Sequence, residues 1–452
     1  MTRHRFHIAT LGCKINQYES QALREAWCAM GWTETGDPAL AGTVIVNSCA
    51  VTQNAIRDLR QTVRRLHRAN PGAAIIVTGC AGEVLADELA TLPGVTEVVP
   101  QSQKRGLLVA RPPAAAPQSP QSPQPAQPAP QARQAENAAT PDFAIASFER
   151  ARPVVKVQDG CSHRCAYCIV PLTRGPSRSR DPRAVHAEVA RLLDAGFREI
   201  ILSGVNLSHY GRDLAPATDF WDLVAALDAA LAPQWDGQAR LRISSVYPGQ
   251  LSAKGLDTLA ASRLVCPHLH LSLQSGSPAV LHAMGRGATD PAAMLGFLDQ
   301  LRAHWPVFGC GADLIAGFPG ETEAQHAESL AVVKALPLTY AHVFPYSPRP
   351  DTPAAGMPGQ VADAAKKARA AALRAVAARR KGAFIQRVAA LPLVHVAVEG
   401  GSPARGMSEY YVECRFESEE AAPHTIVASR PVAVEGGVLV VGEAGQAKTP
   451  TP

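Results

Sequence analysis

The run CSHRCAYC at residues 161–168 sets three thiols, Cys161, Cys165 and Cys168, within eight residues. Three ligands are one short of four. A cubane 4Fe-4S cluster takes a cysteine on each iron, so a compact trio leaves one iron open to another molecule. A structural zinc site closes with four ligands and usually pairs its cysteines through short spacers, which this run does not match. His163 is the candidate fourth ligand, but it lies inside the loop between Cys161 and Cys165, where reaching the same metal strains the turn. Packing as small hydrophobes accounts for single buried cysteines and poorly for this spacing.

Three more cysteines share a different arrangement. FHIATLGC, TVIVNSC and AAIIVTGC are short runs rich in β-branched residues that end at Cys13, Cys49 and Cys80. Between them lie helical stretches, one with Ile56, Leu59, Val63 and Leu66 as an apolar stripe. Strand, helix, strand implies a parallel sheet. All carboxyl ends then lie on one edge, so cysteines far apart in sequence are expected to converge there as a second metal site with three protein thiolates. Cys28, Cys266, Cys310 and Cys414 follow no such pattern and are taken as ordinary residues.

From about residue 152 to 355 the segments VVKV, EIILSG, RLRISSV, HLHLSL, CGADLIAG and AHVFPY predict six strands, most of them separated by helices such as 182–196 and 321–335. This is a (βα)6 pattern, an incomplete parallel barrel with its active site at the carboxyl ends of the strands. CxxxCxxC with an aromatic residue, Tyr167, before the last cysteine resembles the radical-SAM superfamily signature. In that setting S-adenosylmethionine (SAM) chelates the open iron, accepts one electron and breaks its sulfonium bond to a 5′-deoxyadenosyl radical. Standing at strand ends around the cluster loop, Ser203, Gly204, Ser245, Gln274 and Gly317 are candidate SAM contacts together with Tyr167 of the loop, although Gly and Ser at strand ends also serve as plain turn residues. The Gly-Gly-Glu motif that holds the SAM amino group is not present in that form after the second strand.

The wider chain fits a large enzyme. Its 452 residues, 46% of them hydrophobic, are enough for about three domains. The N-terminal apolar run is too short for a signal peptide, and no stretch approaches a membrane span, so a reducing, cytoplasmic compartment with metal-bound thiols is expected. Net charge is +5, permitting an RNA partner without requiring one. Residues 112–132 are Pro, Gln, Ala and Ser without apolar period, an extended linker or a surface insertion with no role of its own. The expected domains are 1–110, a linker at 111–146, the barrel with its C-terminal helix at 147–383 and a small β-barrel at 384–446.

TLGCKINQYES, NSCAVT, VTGC, the 161–168 loop, RGPSRSRDP, LQSGS, AGFPGET and FPYSPRPDTPAA together resemble the methylthiotransferase family of radical-SAM enzymes over most of the chain. The resemblance implies an auxiliary 4Fe-4S cluster on Cys13, Cys49 and Cys80 and a SAM-cleaving 4Fe-4S cluster on Cys161, Cys165 and Cys168. It further implies that one SAM methylates a sulfide at the auxiliary cluster, that a second yields the radical, and that a flavodoxin or ferredoxin donates electrons. TLGCKINQYES is similar to the bacterial branch acting on N6-threonylcarbamoyladenosine at position 37 of tRNA. The alternatives are isopentenyladenosine in tRNA or a ribosomal-protein aspartate; a radical-SAM methyltransferase and a non-enzymatic iron–sulfur or RNA-binding protein are the rival classes.

Three basic stretches could neutralise phosphates: Arg57, Arg60, Arg64, Arg65 and Arg68; Arg174, Arg178, Arg180 and Arg183; and Lys366, Lys367, Arg369, Arg374, Arg379, Arg380 and Lys381. Charge runs are also ordinary solvated faces. Residues 385–445 turn β-rich, with VHVAVEG, EYYVECRF, HTIVASRPVAVEG and VLVVGEA predicting a small antiparallel barrel. It resembles the TRAM module with which family members grip RNA, yet 388–452 holds eight acidic residues against four basic ones. Adjacent residues on a strand face opposite sides, so of Tyr410 and Tyr411 one is expected to offer a stacking face to a base while the other packs inside.

Overall fold

The β-branched runs that end at cysteines form the middle of a five-stranded sheet. The computed structural model describes residues 5–110, 142–418 and 421–443, so the Pro/Gln-rich stretch at 112–132 lies outside them. The chain divides into two units, Met1–Ala146 with Ile169–Gly175, and Ser147–Cys168 with Pro176–Pro452. In the first, β1 (Arg5–Thr10), β2 (Thr33–Glu34), β3 (Thr43–Ser48), β4 (Ala74–Gly79) and β5 (Val95–Pro100) run parallel in the order β2-β1-β3-β4-β5. β3 and β4 are buried along their whole length, as central strands covered on both faces must be. The helix Gln53–Ala69 buries Ile56, Leu59, Val63 and Leu66, the predicted stripe, at roughly 1.5–3 kcal/mol of transfer free energy each. The Thr52 hydroxyl caps it by accepting the Ala55 N–H at 3.1 Å.

In the second unit β6 (Val154–Asp159), β8 (Glu199–Gly204) and β9 (Arg240–Ile243) are parallel, with β7 (Arg178–Ser179) antiparallel at the edge of β6. β10 (Ser245–Val246), β11 (His268–Gln274), β12 (Gly309–Ala316) and β13 (Leu338–Pro345) form a second parallel sheet. The predicted strand RLRISSV is therefore two strands. Ser244 still donates its N–H to Leu202 O (3.0 Å) on β8, and the next residue pairs with His270 on β11, so the chain changes partner at that point. The helices expected at 182–196 and 321–335 span Pro182–Asp194 and Glu323–Ala335.

The helix Asp363–Ala389 leads into a closed barrel of β14 (Val394–Gly400), β15 (Arg405–Ser408), β16 (Glu413–Phe416), β17 (Ile426–Glu435) and β18 (Val438–Glu443). Its core takes Phe384, Ile385 and Val388 from that helix. The expectation of a wholly antiparallel barrel is corrected at one pair: β16 and β18 run parallel. Alternating directions cannot close around an odd number of strands, so a five-stranded ring must contain such a pair. EYYVECRF is likewise not one strand. Glu409–Tyr411 is a turn, with Tyr411 at φ 62°, so strand alternation does not sort the two tyrosines. Tyr410 packs against the barrel core. Tyr411 packs against both His268 (4.8 Å between centroids) and Tyr340 (4.9 Å), with the Arg242 guanidinium 5.0 Å from its ring.

Glu199, fully buried at the start of β8, ties this barrel to the strands. It accepts Arg240 Nε at 2.7 Å, Arg242 Nε at 2.6 Å and Arg152 Nη1 at 3.3 Å. Arg240 passes on to the carbonyls of His395 and Met407, and Arg242 to those of Ser408 and Glu409. Burial pushes the Glu199 carboxyl up, but Arg242, Arg240 and Arg152 outweigh it and hold the group well below the usual carboxylate range. That stabilisation is complete above the ordinary value of 4.5 and is lost as pH falls through the folded-state value. Glu199→Gln strands Arg240 and Arg242, while Arg152 keeps Glu399 at 2.6 Å, and at neutral pH it is expected to lower the chemical-denaturation stability of this unit by about 3–5 kcal/mol. An unchanged midpoint would mean that the barrel carbonyls alone hold the arginines.

Candidate metal centres

Parallel pairing brings the strand ends of the first unit together. Thr10 pairs with Asn47 and Ser48 with Gly79, so Cys13, Cys49 and Cys80 follow three adjacent strands at one sheet edge. Cys13 stands at the N-cap position of the helix Lys14–Ala29, and Cys80 opens the short helix Cys80–Val84. The approach is close enough to exclude side chains: a Cβ on Gly12 (φ +99°) would fall 2.5 Å from Cys49 Cβ, and one on Gly79 (φ +94°) 2.4 Å from Ser48 O. Asn16 Nδ2 donates to Leu11 O (2.8 Å) and Ser48 O (2.9 Å), stitching the two cysteine loops together. Burial pushes the Cys49 thiol up to about 11, Cys13 and Cys80 push the same way, and the Val51 N–H and Arg174 oppose them.

In the second unit the 161–168 loop follows β6 by two residues. Gln158 secures it from both sides, donating to Gly160 O (2.8 Å) and accepting the Asn206 N–H (2.7 Å). The loop's middle is pinned where Ala166 donates to Met284 O (2.9 Å) and accepts the Ala354 N–H (2.8 Å). Asn206 Nδ2 lies 3.5 Å from Cys161 Sγ, and Arg286 Nη1 lies 3.9 Å from Cys165 Sγ with its guanidinium over the Tyr247 ring at 4.5 Å. Burial raises the Cys161 thiol, and the Asn206 amide opposes it. His163 packs edge-on against His209 (4.3 Å) and Tyr247 (5.0 Å). None of the ten cysteines, all of them among the described residues, is joined in a disulfide. Among the described residues, no three of Cys, His, Asp and Glu meet single-ion geometry.

Of the remaining predicted residues, Ser203, Gly204, Gln274 and Gly317 lie at or just past the carboxyl ends of β8, β11 and β12, whereas Ser245 opens the short β10 just after β9 ends. Ser203 is buried on β8 beside Gly204, which pairs with Gln158. Ser245 pairs with His270, Gln274 ends β11 at φ 71°, and Gly317 (φ 74°) follows β12 and donates its N–H to Glu321. Tyr167 is packed near Arg286, and burial drives its hydroxyl well above its usual value. Sequence reasoning missed Asn206, Arg286, Tyr247 and Asn16. Asn16 stands within TLGCKINQYES, and Asn206 stands two residues past the strand end at which the Gly-Gly-Glu form is missing.

Several basic residues counted as phosphate contacts are structural instead. Arg174 pairs with Glu19 at 2.9 Å, with its side chain 3% exposed, and Arg180 pairs with buried Glu188 at 2.5 Å. Lys366 and Arg369 are also buried, on Asp363 and Glu323. Arg57, Arg64, Arg65 and Arg68 stay exposed on the helix Gln53–Ala69, whereas Arg60 pairs with Glu88.

Two family models match the chain: Uncharacterized protein family UPF0004 over residues 5–100, and Radical SAM superfamily over residues 155–333. A protein named Threonylcarbamoyladenosine tRNA methylthiotransferase MtaB from Bacillus subtilis (strain 168) is 35% identical, covering 80% of this chain and 78% of its own. One of the same name from Aquifex aeolicus (strain VF5) is 30% identical over 90% of this chain and 95% of its own. A tRNA-2-methylthio-N(6)-dimethylallyladenosine synthase from Pelotomaculum thermopropionicum is 33% identical over 82% and 81%. The solved radical S-adenosylmethionine methyltransferase TsrM from Kitasatospora setae shares the fold, with a TM-score of 0.55 at 14% identity over 78% of this chain and 74% of that one.

Burial orders the thiols of the first site. Cys13 is exposed while Cys49 and Cys80 are buried. In metal-free protein at pH 8, iodoacetamide is expected to alkylate Cys13 at least about tenfold faster than Cys49, measured by peptide mass spectrometry. Equal rates would show that the edge opens in solution.

Proposed function

The chain belongs to the radical-SAM tRNA methylthiotransferases, and from that premise we propose that it transfers a methylthio group to carbon 2 of N6-threonylcarbamoyladenosine at position 37, next to the anticodon. A hydrogen on that aromatic carbon is far outside the acidity range in which a side-chain base works at neutral pH. When bound, two 4Fe-4S clusters and SAM supply the radical, the methyl group and a site for sulfur, and the protein supplies position and exclusion of competing reactions. Cys161, Cys165 and Cys168 are assigned to the SAM-cleaving cluster and Cys13, Cys49 and Cys80 to the auxiliary one. Each trio leaves one iron for a ligand that the protein does not provide.

Asn206 and Arg286 direct hydrogen-bond donors at Cys161 and Cys165, the arrangement that steadies a thiolate ligand. Tyr167, Ser203, Gly204, Ser245, Gln274 and Gly317 are assigned to SAM. The exposed face of Arg57, Arg64, Arg65 and Arg68 is assigned to phosphates of the anticodon arm. Electrons come from a donor of the flavodoxin or ferredoxin type, and the reaction belongs in the cytoplasm; among the described residues no helix is long and apolar enough to cross a membrane.

The observation that carries this reading is the second cysteine trio, which a radical-SAM enzyme with one cluster does not need. Anaerobically reconstituted protein is expected to hold about eight irons, and Cys13→Ala about four. About four in the parent protein would favour a single-cluster methyltransferase. Mass spectrometry of tRNA nucleosides from cells lacking the gene is expected to show loss of the 2-methylthio form and accumulation of its threonylcarbamoyl precursor, with Cys161→Ala failing to restore it. Loss of the isopentenyl counterpart instead would move the substrate to the branch of the Pelotomaculum relative.

A further inference from the structure

In the second unit, β11 to β13 carry a row of polar and aromatic side chains that the cluster and SAM assignments leave unused. β12 and β13 pair Gly311 with Tyr340, Asp313 with His342 and Ile315 with Phe344, so these residues stand on one face of the sheet. The alternate residues Cys310, Ala312, Leu314 and Ala316 are fully buried and face the helix Asp363–Ala389, which leaves the row on the opposite face. Exposure along the row rises toward the carboxyl ends of the strands: His270 is buried, the Asp313 side chain is 26% exposed and Phe344 is 45% exposed. Asp313 Oδ2 lies 3.0 Å from His270 Nε2, and the other ring nitrogen, Nδ1, lies 2.7 Å from the Tyr340 hydroxyl. Burial drives that hydroxyl well above its usual range, so it stays protonated and donates to Nδ1, which puts the ring proton on Nε2, toward Asp313. Among the described residues, no group other than His270 pairs with this carboxylate. The row also borders the 161–168 loop. Ser272 follows His270 on the same face of β11 and accepts Arg286 Nη2, while Arg286 Nη1 lies 3.9 Å from Cys165 Sγ.

A carboxylate accepts hydrogen bonds and donates none, so with Oδ2 turned to His270 the Asp313 group offers Oδ1 to an N–H donor. Phe344, one step along the row, offers an exposed aromatic face on which a base can stack. A purine with one hydrogen on its exocyclic nitrogen satisfies both. We propose that Asp313 and Phe344 seat the substrate base, Asp313 accepting the N6–H of the modified adenosine and Phe344 stacking on its ring. This rests on the reading of the chain as a tRNA methylthiotransferase. The threonylcarbamoyl group leaves N6 in the direction away from that hydrogen, so its own carboxylate does not face Asp313 and carbon 2 of the ring stays uncovered.

The test uses the anaerobically reconstituted full chain and two anticodon stem-loop RNAs. One carries N6-threonylcarbamoyladenosine at position 37, and the other carries the same base with a methyl group in place of the N6 hydrogen. The parent protein is expected to bind the first at least about tenfold more tightly, because the second leaves the Asp313 acceptor unpaired. Asp313→Ala is expected to lose about tenfold toward the first loop and nothing toward the methylated one. Phe344→Ala, at an exposed position, is expected to weaken both about tenfold. Equal affinity of the parent for the two loops, or an equal loss toward both in Asp313→Ala, would overturn the role of Asp313; the parent comparison decides it even if that variant does not fold. Unchanged binding by Phe344→Ala would overturn the stacking. Nucleoside mass spectrometry after turnover of the first loop tests the underlying reading separately. If the parent converts only a loop carrying isopentenyladenosine, the substrate moves to the other branch, and that base with and without its N6 hydrogen decides Asp313 by the same comparison.

Discussion

Parallel strand pairing is the constraint on which both cysteine sites depend. Such a sheet places every carboxyl end on one edge, and the residues just past those ends meet whatever their separation in sequence. The registers Thr10 to Asn47 and Ser48 to Gly79 therefore carry Cys13, Cys49 and Cys80 to neighbouring positions. The same rule places the 161–168 loop and Asn206 past the ends of paired β6 and β8, where Gln158 binds both segments. Burying the central strands on both faces leaves their backbone polar groups satisfied by neighbours, so the edge loops are free to be built from thiols.

Buried carboxylates organise the rest. Glu19 and Glu199 each gather cations, and in both cases the arginines continue to groups on other segments. Such hubs join distant parts of one unit because a desolvated charge tolerates few geometries. Surface pairs behave differently: Lys254 with Asp219 and Asp222 is about half exposed on every partner and is worth at most ~1 kcal/mol. The hubs also explain why counting basic residues overstates the surface available to RNA. Arg174, Arg180 and Arg369 serve inside the protein, while Arg178, Arg183, Lys367 and the guanidiniums of Arg57, Arg64, Arg65 and Arg68 on the helix Gln53–Ala69 stay exposed.

Much of the fold was legible. The stripe Ile56, Leu59, Val63 and Leu66 is the buried set of its helix, because helical period and a one-sided core leave no other solution. The failures came where a local rule met a tertiary demand. RLRISSV keeps a strand pattern throughout, yet the sheet changes partners at Ser244. Tyr410 and Tyr411 have strand propensity and lie in a turn, because closing the barrel requires one between β15 and β16.

Sequence alone determined the donor types and their local spacing: three thiols in one loop, three more at strand ends, and the βα alternation that makes the strands parallel. These depend on periods of a few residues and need no knowledge of the rest of the chain. Only the tertiary structure decided which charged side chains stand beside the thiols. The Arg174–Glu19 pair spans 155 positions and the contact of Arg286 with Cys165 spans 121. Pairs so far apart leave no period to read, and each is selected by the desolvation of a charge that only the finished packing imposes.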